Sequence, residues 1–242
     1  LLNTGNNYSW TQQMYIVATS AANATTMPLN IVTGSAGVYT TIAAIGITSL
    51  ANFGADIALD DRGDTLIVGG NLDNTNAGAI WLFRRIQLAT TSTTFYKPIF
   101  KYSATDAGLS ATAKFGFWGN CSGAGDEIIM GATDHNAGSG AIGAIVRMKQ
   151  NIAISEDKNA WSATIYVPTG IITGSQFGYS VACSDNCSTI IGGAPFDTNT
   201  GANAGSAIIY KENVGSIIGD RMIFFFFFFF CNLFFYFFYL FI

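Results

Sequence analysis

Two cysteines four residues apart, Cys183 and Cys187, bracket the polar run Ser184-Asp185-Asn186. Cysteines on the two arms of a hairpin can bring their Cα atoms to about 4.4–6.8 Å, within reach of a disulfide. The pair is therefore a candidate bridge in an oxidising compartment, or else two small buried hydrophobes. Zinc is not indicated, because the spacing is not Cys-x2-Cys and the single histidine, His135, lies far away. A second cluster is acidic: Asp60, Asp61 and Asp64 surround Arg62 and Gly63. Calcium takes about six to eight oxygen ligands, hard to assemble from a short turn with an arginine inside it. The expectation there is a hairpin turn of Asp, Gly and Arg with no bound ion. His135, in a loop rich in Asn, Gly and Ser, reads as a solvated histidine. No nucleophile motif or phosphate-cradling glycine pattern is present, so no catalytic, cofactor or metal residue is expected.

These residues fall on a repeat. Phe53-Gly54, Phe115-Gly116 and Phe177-Gly178 are spaced 62 residues apart both times. Leu66 to Gly70 aligns with Ile128 to Ala132 and with Ile190 to Ala194. A polar loop of variable length follows, and then the Gly-led runs from Gly78, Gly143 and Gly205. Fixed apolar segments joined by variable loops are what stacked repeats show. Each copy carries three short apolar runs bounded by turn residues, which predict strands. A fourth, outer strand is predicted between two aromatics at Trp161–Tyr166 and Phe95–Phe100, with a stray example at Trp10–Tyr15. Pro98 inside one of them demands a sheet edge. The unit is then a four-stranded antiparallel sheet of about 60 residues, and radial repetition of such sheets makes a β-propeller.

The run Phe-Gly, strand, polar turn, strand ending Gly-Ala-Pro, loop, Gly-led strand resembles the FG-GAP repeat of integrin α-chain propellers and their relatives. Residues 177–210 carry it most fully, with Gly193-Ala194-Pro195 closing the second strand. The resemblance covers about residues 53–210 and implies an all-β, incomplete β-propeller of four-stranded antiparallel blades. The domains expected are a degenerate or partial blade and insertion at 1–52, blades at 53–114 and 115–176, a partial blade at 177–214, and a hydrophobic tail at 222–242. Within 1–52, strands are expected at Asn30–Thr33 and Val38–Ala44. The third blade is expected to lack its outer strand, since no aromatic-led strand follows Tyr210, unless Trp10–Tyr15 circularly supplies one. Such an arc leaves apolar faces exposed at both ends, at about 25 cal/mol per Å². Calcium loops of integrin repeats sit where Asp60, Asp61 and Asp64 lie, and this turn is shorter than that type. Arg62-Gly63-Asp64 spells an integrin-ligand tripeptide, yet it aligns with Ala124-Gly125-Asp126 and so reads as a repeat turn.

Composition bounds the partners. The 242 residues are 50% hydrophobic and only 11% charged, with a net charge of −4. That balance offers no basic surface for phosphate, so nucleic acid is not an expected partner. The chain begins on Leu with no basic leader, and reads as a fragment or processed product. From Met222 to Ile242 there is no charge, and seven Phe run consecutively from Phe224 to Phe230. A helix of that length could cross ~30 Å of hydrocarbon, and the same tract could equally be a translation artefact of a T-rich stretch. Sequons at Asn7, Asn23, Asn120 and Asn186 are no more than composition predicts.

The function expected is a non-enzymatic FG-GAP β-propeller interaction module, at the cell surface or outside the cell. It would bind a protein or glycan through loops on a propeller face, with membrane attachment through Met222 to Ile242 as an option. One alternative is a lyase or hydrolase with a central-channel site, for which Asp56, Asp134, His135 and Asp197 are the residues to place. The other is a non-functional gene fragment with a mistranslated tail.

Overall fold

The computed structural model describes residues 14–18, 27–33, 38–47, 50–87, 94–136, 138, 140–151, 156–199, 201, 204–213 and 216–222. Four antiparallel sheets follow one another along the chain. A three-stranded sheet comes first, built from β1 (Met14–Ala18), β2 (Met27–Thr33) and β3 (Val38–Ile47). Sheet I then takes β4 (Ile57–Leu59), β5 (Thr65–Gly70), β6 (Ala79–Gln87) and β7 (Thr94–Ser103). Sheet II takes β8 (Phe115–Cys121), β9 (Glu127–Ala132), β10 (Ala144–Gln150) and β11 (Trp161–Tyr166). Sheet III takes β12 (Ser180–Cys183), β13 (Thr189–Ala194), β14 (Ser206–Asn213) and β15 (Ser216–Met222). Sheets I to III each run strand by strand in sequence order, and they resemble the blades of a propeller. Pro98 sits on the edge strand β7 opposite Phe83, beside a register shift at Leu82/Phe83, as its missing donor requires.

Two expectations are corrected here. Sheet III does have an outer strand: β15 pairs along the length of β14, from Asn213↔Ser216 to Ala207↔Met222. The sequence signal failed because β15 begins on Ser216 and not on an aromatic. The three-stranded sheet spans 14–47, and in it β2 and β3 extend the two predicted strands to Met27 and Ile47. Trp10 lies outside the described residues, and so does the tail apart from Met222, which ends β15.

The Phe-Gly pairs join the sheets. Phe115 is fully buried between sheets I and II, among Ile67, Ile80, Leu82, Met130 and Val146. Phe177 is fully buried between sheets II and III, among Ile129, Ile145, Ile190 and Ile208. Phe53 lies edge-on to Trp81, with centroids 5.1 Å apart, on the face of sheet I that looks away from sheet II. The backbone enters each pair identically. Asn52, Lys114 and Gln176 have φ of 55°, 54° and 53°, and the glycines after each Phe have φ of 91°, 90° and 88°. Phe115 N–H then donates to Ala77 O (3.0 Å) and Phe177 N–H to Ile142 O (2.8 Å), both on the preceding sheet. Parallel bridges Gly78↔Phe115 and Gly143↔Phe177 complete the joint.

The approach is so close that it excludes side chains. A Cβ on Gly69 would strike Gly116 O, and one on Gly131 would strike Gly178 O. Strand β5 and its equivalents show the resulting alternation. Leu66, Ile128 and Ile190 face the preceding sheet, while Ile67 and Ile129 face the next one. Replacing Phe115 or Phe177 with Ala is expected to cost about 3–5 kcal/mol through the cavity left behind. Phe53→Ala should cost visibly less, because Phe53 is only half-buried. Urea denaturation of the three variants checks the order; equal losses at all three would contradict it.

Candidate functional site

The hairpin turns at 60–64, 122–126 and 184–188 are the positions a calcium loop of the repeat would occupy. Their first residues, Asp60, Ser122 and Ser184, all spend a side-chain oxygen on the turn itself. Asp60 Oδ1 accepts from Asp64 N–H (2.6 Å), Ser122 Oγ accepts from Glu127 N–H (3.0 Å), and Ser184 Oγ accepts from Thr189 N–H (3.1 Å). Asp64 is engaged by Arg85, with Nη2 at 2.6 Å from Oδ1. Asp60 and Asp64 therefore stabilise the turn and its flanks, which is the hairpin role the spacing suggested. Among the described residues no three His, Cys, Asp or Glu side chains are placed to hold a metal. Arg62 Nε lies 3.6 Å from Asp64 Oδ2, so the tripeptide folds back on itself within the turn. The turns also bond to one another: Asp61 N–H donates to Gly123 O (3.3 Å), and Gly123 N–H to Asp185 O (2.8 Å). Positions 61, 123 and 185 are one register, so a chain of backbone bonds links the three sheets at this end.

Cys183 and Cys187 face each other across the third turn with Cα atoms 4.8 Å apart and their sulfurs within bonding distance. Cys187 has φ +47°, where Gly63 and Gly125 have +65° and +70°. A β-carbon in this left-handed position is unfavourable, so the cysteine is held there against backbone preference. Cys121 is a free, buried thiol, and burial pushes its pKa up to about 12. It is thus a core hydrophobe. Cys231 lies outside the described residues.

His135 is not solvated, contrary to expectation. It is 6% exposed, and its Nδ1 accepts from Ser110 N–H at 3.2 Å. Burial lowers its pKa. The reason is its register: Asp73, His135 and Asp197 are 62 residues apart, and all three are buried. Each carbonyl accepts from the glycine that opens the next strand: Gly78 N–H (2.9 Å), Gly143 N–H (3.1 Å) and Gly205 N–H (2.9 Å). The 62-residue spacing would have revealed this row, had it been followed past the apolar strands. The side chains differ at each copy. Lys101 Nζ lies 2.5 Å from Asp73 Oδ2 and 5.4 Å from the Trp81 ring centroid. Asp197 Oδ1 accepts from Asn199 N–H at 3.2 Å. Asp134, beside His135, pairs with Lys114 at 2.8 Å. Asp56 precedes β4, and its Oδ2 is buried without a hydrogen-bond partner. Burial raises its pKa, opposed by backbone N–H bonds from Gly119 and Ile57.

A buried ion pair escaped the sequence reading. Arg147 Nε donates to Glu127 Oε2 at 2.6 Å, with both side chains 6% exposed, and Nη2 reaches Glu212 of sheet III at 3.3 Å. Burial alone would lower the arginine pKa; the Glu127 carboxylate more than reverses that and holds it above its ordinary value. An exposed aromatic row is the other unforeseen feature. Tyr179 lies between Phe117, tilted to it (centroids 4.9 Å), and Phe196, edge-on (6.0 Å). Beside it, Tyr179, Gly193, Pro195, Gly205 and Ala207 line an apolar cavity of about 470 Å³.

No family model matches the chain, and no curated protein matches it. Among solved structures it is similar to the β-propeller domain of the trilobed protease from Pyrococcus furiosus, at 10% identity and a TM-score of 0.38, covering 86% of this chain and 53% of that one. It is also similar to a candidate 6-phosphogluconolactonase from Bacteroides uniformis, at 11% identity and a TM-score of 0.34, covering 87% and 67%. The chain thus spans about half the length of the protease domain chain. Likeness this distant assigns no activity. Among the described residues no helix is long and apolar enough to cross a membrane.

Two outcomes follow from this geometry. Glu127→Leu removes the shorter of the two carboxylate contacts of the buried Arg147, leaving Glu212 at 3.3 Å, and is expected to cost about 1–3 kcal/mol, read by urea denaturation; a loss within about 0.5 kcal/mol, the scale of an exposed pair, would contradict the burial. His135 has a folded-state pKa below its unfolded value, so the unfolded chain binds the extra proton. Its contribution is complete above the unfolded value of 6.5 and is lost as pH falls through the lower folded value. The urea midpoint should therefore drop as pH falls from 6.5 through that lower value, and His135→Gln should flatten the drop.

Proposed function

We propose that the chain is an FG-GAP-type β-propeller arc acting as a non-enzymatic binding module, at the cell surface or outside the cell. The observation that carries this is the equivalence of Phe53-Gly54, Phe115-Gly116 and Phe177-Gly178 on successive four-stranded sheets. Rigid repeated sheets with variable connections are how propellers present ligand-binding loops. The connections that vary run from 71 to 78, from 133 to 143 and from 195 to 205, each between the second and third strands of its sheet. The ligand is a protein or a glycan held by these loops. The adjacent Cys183 and Cys187 sulfurs support placement in an oxidising compartment.

The test is a panel of glycans and extracellular proteins offered to the full chain. Binding should appear, and it should be lost when 133–143 is shortened to the length of 71–78 while circular dichroism stays unchanged. Binding that ignores the exchange, or none across the panel, overturns the reading. A second reading, hydrolase or lyase chemistry, is favoured by Asp56, whose buried carboxylate has a raised pKa and one oxygen without a partner. Its folded pKa lies above the unfolded 3.8, so ionised Asp56 destabilises the fold as pH rises through the folded value. Asp56→Asn is expected to raise the urea midpoint at pH 7; if it also abolishes a turnover measured in the wild type, the enzymatic reading replaces the binding one.

A further inference from the structure

The hairpin turn of sheet III presents a modification site. Asn186-Cys187-Ser188 is an Asn-x-Ser run, the acceptor pattern for an N-linked oligosaccharide. It occupies the tip of the turn between β12 and β13. Position 186 shares its register with Arg62 and Ala124, and all three residues are exposed. Ala124 lies in sheet II, with sheets I and III on either side, so the exposure belongs to the turn itself. The backbone bonds between turns are made by residues 61, 123 and 185, and the residue after each takes no part in them.

The side chain is set for the chemistry. Asn186 Oδ1 accepts from Ser188 N–H (3.1 Å) and from Ser184 Oγ (3.1 Å), which is an Asx turn closed within the sequon. The backbone donor fixes which amide atom turns inward, and Nδ2 is left without an acceptor among the described residues. Cys187 between the two sequon residues is fully buried, with its sulfur against that of Cys183, and anchors the tip. Asn120-Cys121-Ser122 is the contrast. Asn120 is half-buried on β8, which lies between β4 and β12, and its Oδ1 accepts from Cys121 N–H (2.7 Å). Ser122 is 1% exposed, and its Oγ accepts from Asp126 and Glu127 N–H. Transfer to an unfolded chain meets both sequons alike, so the fold decides which glycan is kept. At Asn186 it stands clear of the sheets; at Asn120 it would open the contacts of β8 with its neighbours.

We infer that Asn186 carries an N-linked oligosaccharide and that Asn120 does not. Nδ2 of Asn186 attacks C1 of an oligosaccharide held on a lipid diphosphate. The C1–Nδ2 bond forms, the C1–O bond breaks with its electron pair leaving on the diphosphate, and Nδ2 releases a proton. The inference rests on the proposed placement of the chain outside the cell. It also says what occupies the turn end of the sheets. The turn 184–188 and the connection 195–205 lie at opposite ends of β13, so the glycan leaves the proposed binding loops clear.

The test uses the full chain, carried by an added secretory leader into the lumen of eukaryotic cells and purified in soluble form. An amidase that removes N-linked glycans converts each occupied Asn to Asp, and in heavy-oxygen water the change is read residue by residue by peptide mass spectrometry. Asn186 should be converted in most molecules and Asn120 in none. Ser188→Ala, which keeps the backbone N–H that holds Asn186 Oδ1, should lose the glycan, and Ser188→Thr should keep it. Wild type bare at Asn186, Ser188→Ala still modified there, or a soluble chain modified at Asn120 overturns the inference. The outcomes separate the two readings. A bare Asn186 in the lumen leaves the extracellular placement standing, whereas a glycosylated chain that binds nothing in the ligand panel overturns the binding role and leaves the modification site.

Discussion

The structure depends on one close approach, a Phe-Gly backbone pressed against a glycine of the preceding sheet. The phenylalanine supplies apolar area and fills the gap between two sheets. The glycine beside it lets the main chains come near enough for Phe115 N–H and Phe177 N–H to bond across the joint. Neither half works alone. Without the ring a cavity remains, and without the glycines at 69, 116, 131 and 178 the carbonyls collide with a Cβ. Because the joint repeats, the orientation of each sheet on the last is set by local geometry at every step.

A second tie runs at the other end of the inner strands, where Asp61 donates to Gly123 and Gly123 donates to Asp185. These turns hold the sheets in line by backbone bonds, which the side chains at 61 and 185 do not make. That explains how the turn sequences diverge, from Asp60-Asp61-Arg62-Gly63-Asp64 to Ser184-Asp185-Asn186-Cys187-Ser188, without disturbing the stack. The divergence leaves room for local chemistry: an arginine-bound aspartate in the first turn and facing cysteines in the third.

Much of this was legible in the sequence because apolar strands and paired glycines recur at a fixed spacing. Phe53, Phe115 and Phe177 could be placed at equivalent points leading into the first strand of each sheet from their numbers alone, and Pro98 marked an edge. The candidate site was less legible. His135 looked like a loop residue because its neighbours are Asn, Gly and Ser, yet it fills a buried register position shared with Asp73 and Asp197. Arg147 and Glu127 sit on neighbouring strands 20 residues apart in sequence, and only the cross-strand pairing brings their side chains together. Strand β15 was invisible because the outer-strand signal was tied to a leading aromatic, which Ser216 is not. Long-range contacts decide each of these, and periodicity reports only which face a residue occupies.

The central claim is that Phe-Gly insertion couples adjacent sheets energetically. The direct measurement is a double-mutant cycle on Ile67→Ala and Phe115→Ala, which lie on different sheets in one core. The account predicts a coupling of about 0.5–3 kcal/mol, and losses that add within about 0.3–0.5 kcal/mol would show independent sheets and contradict it.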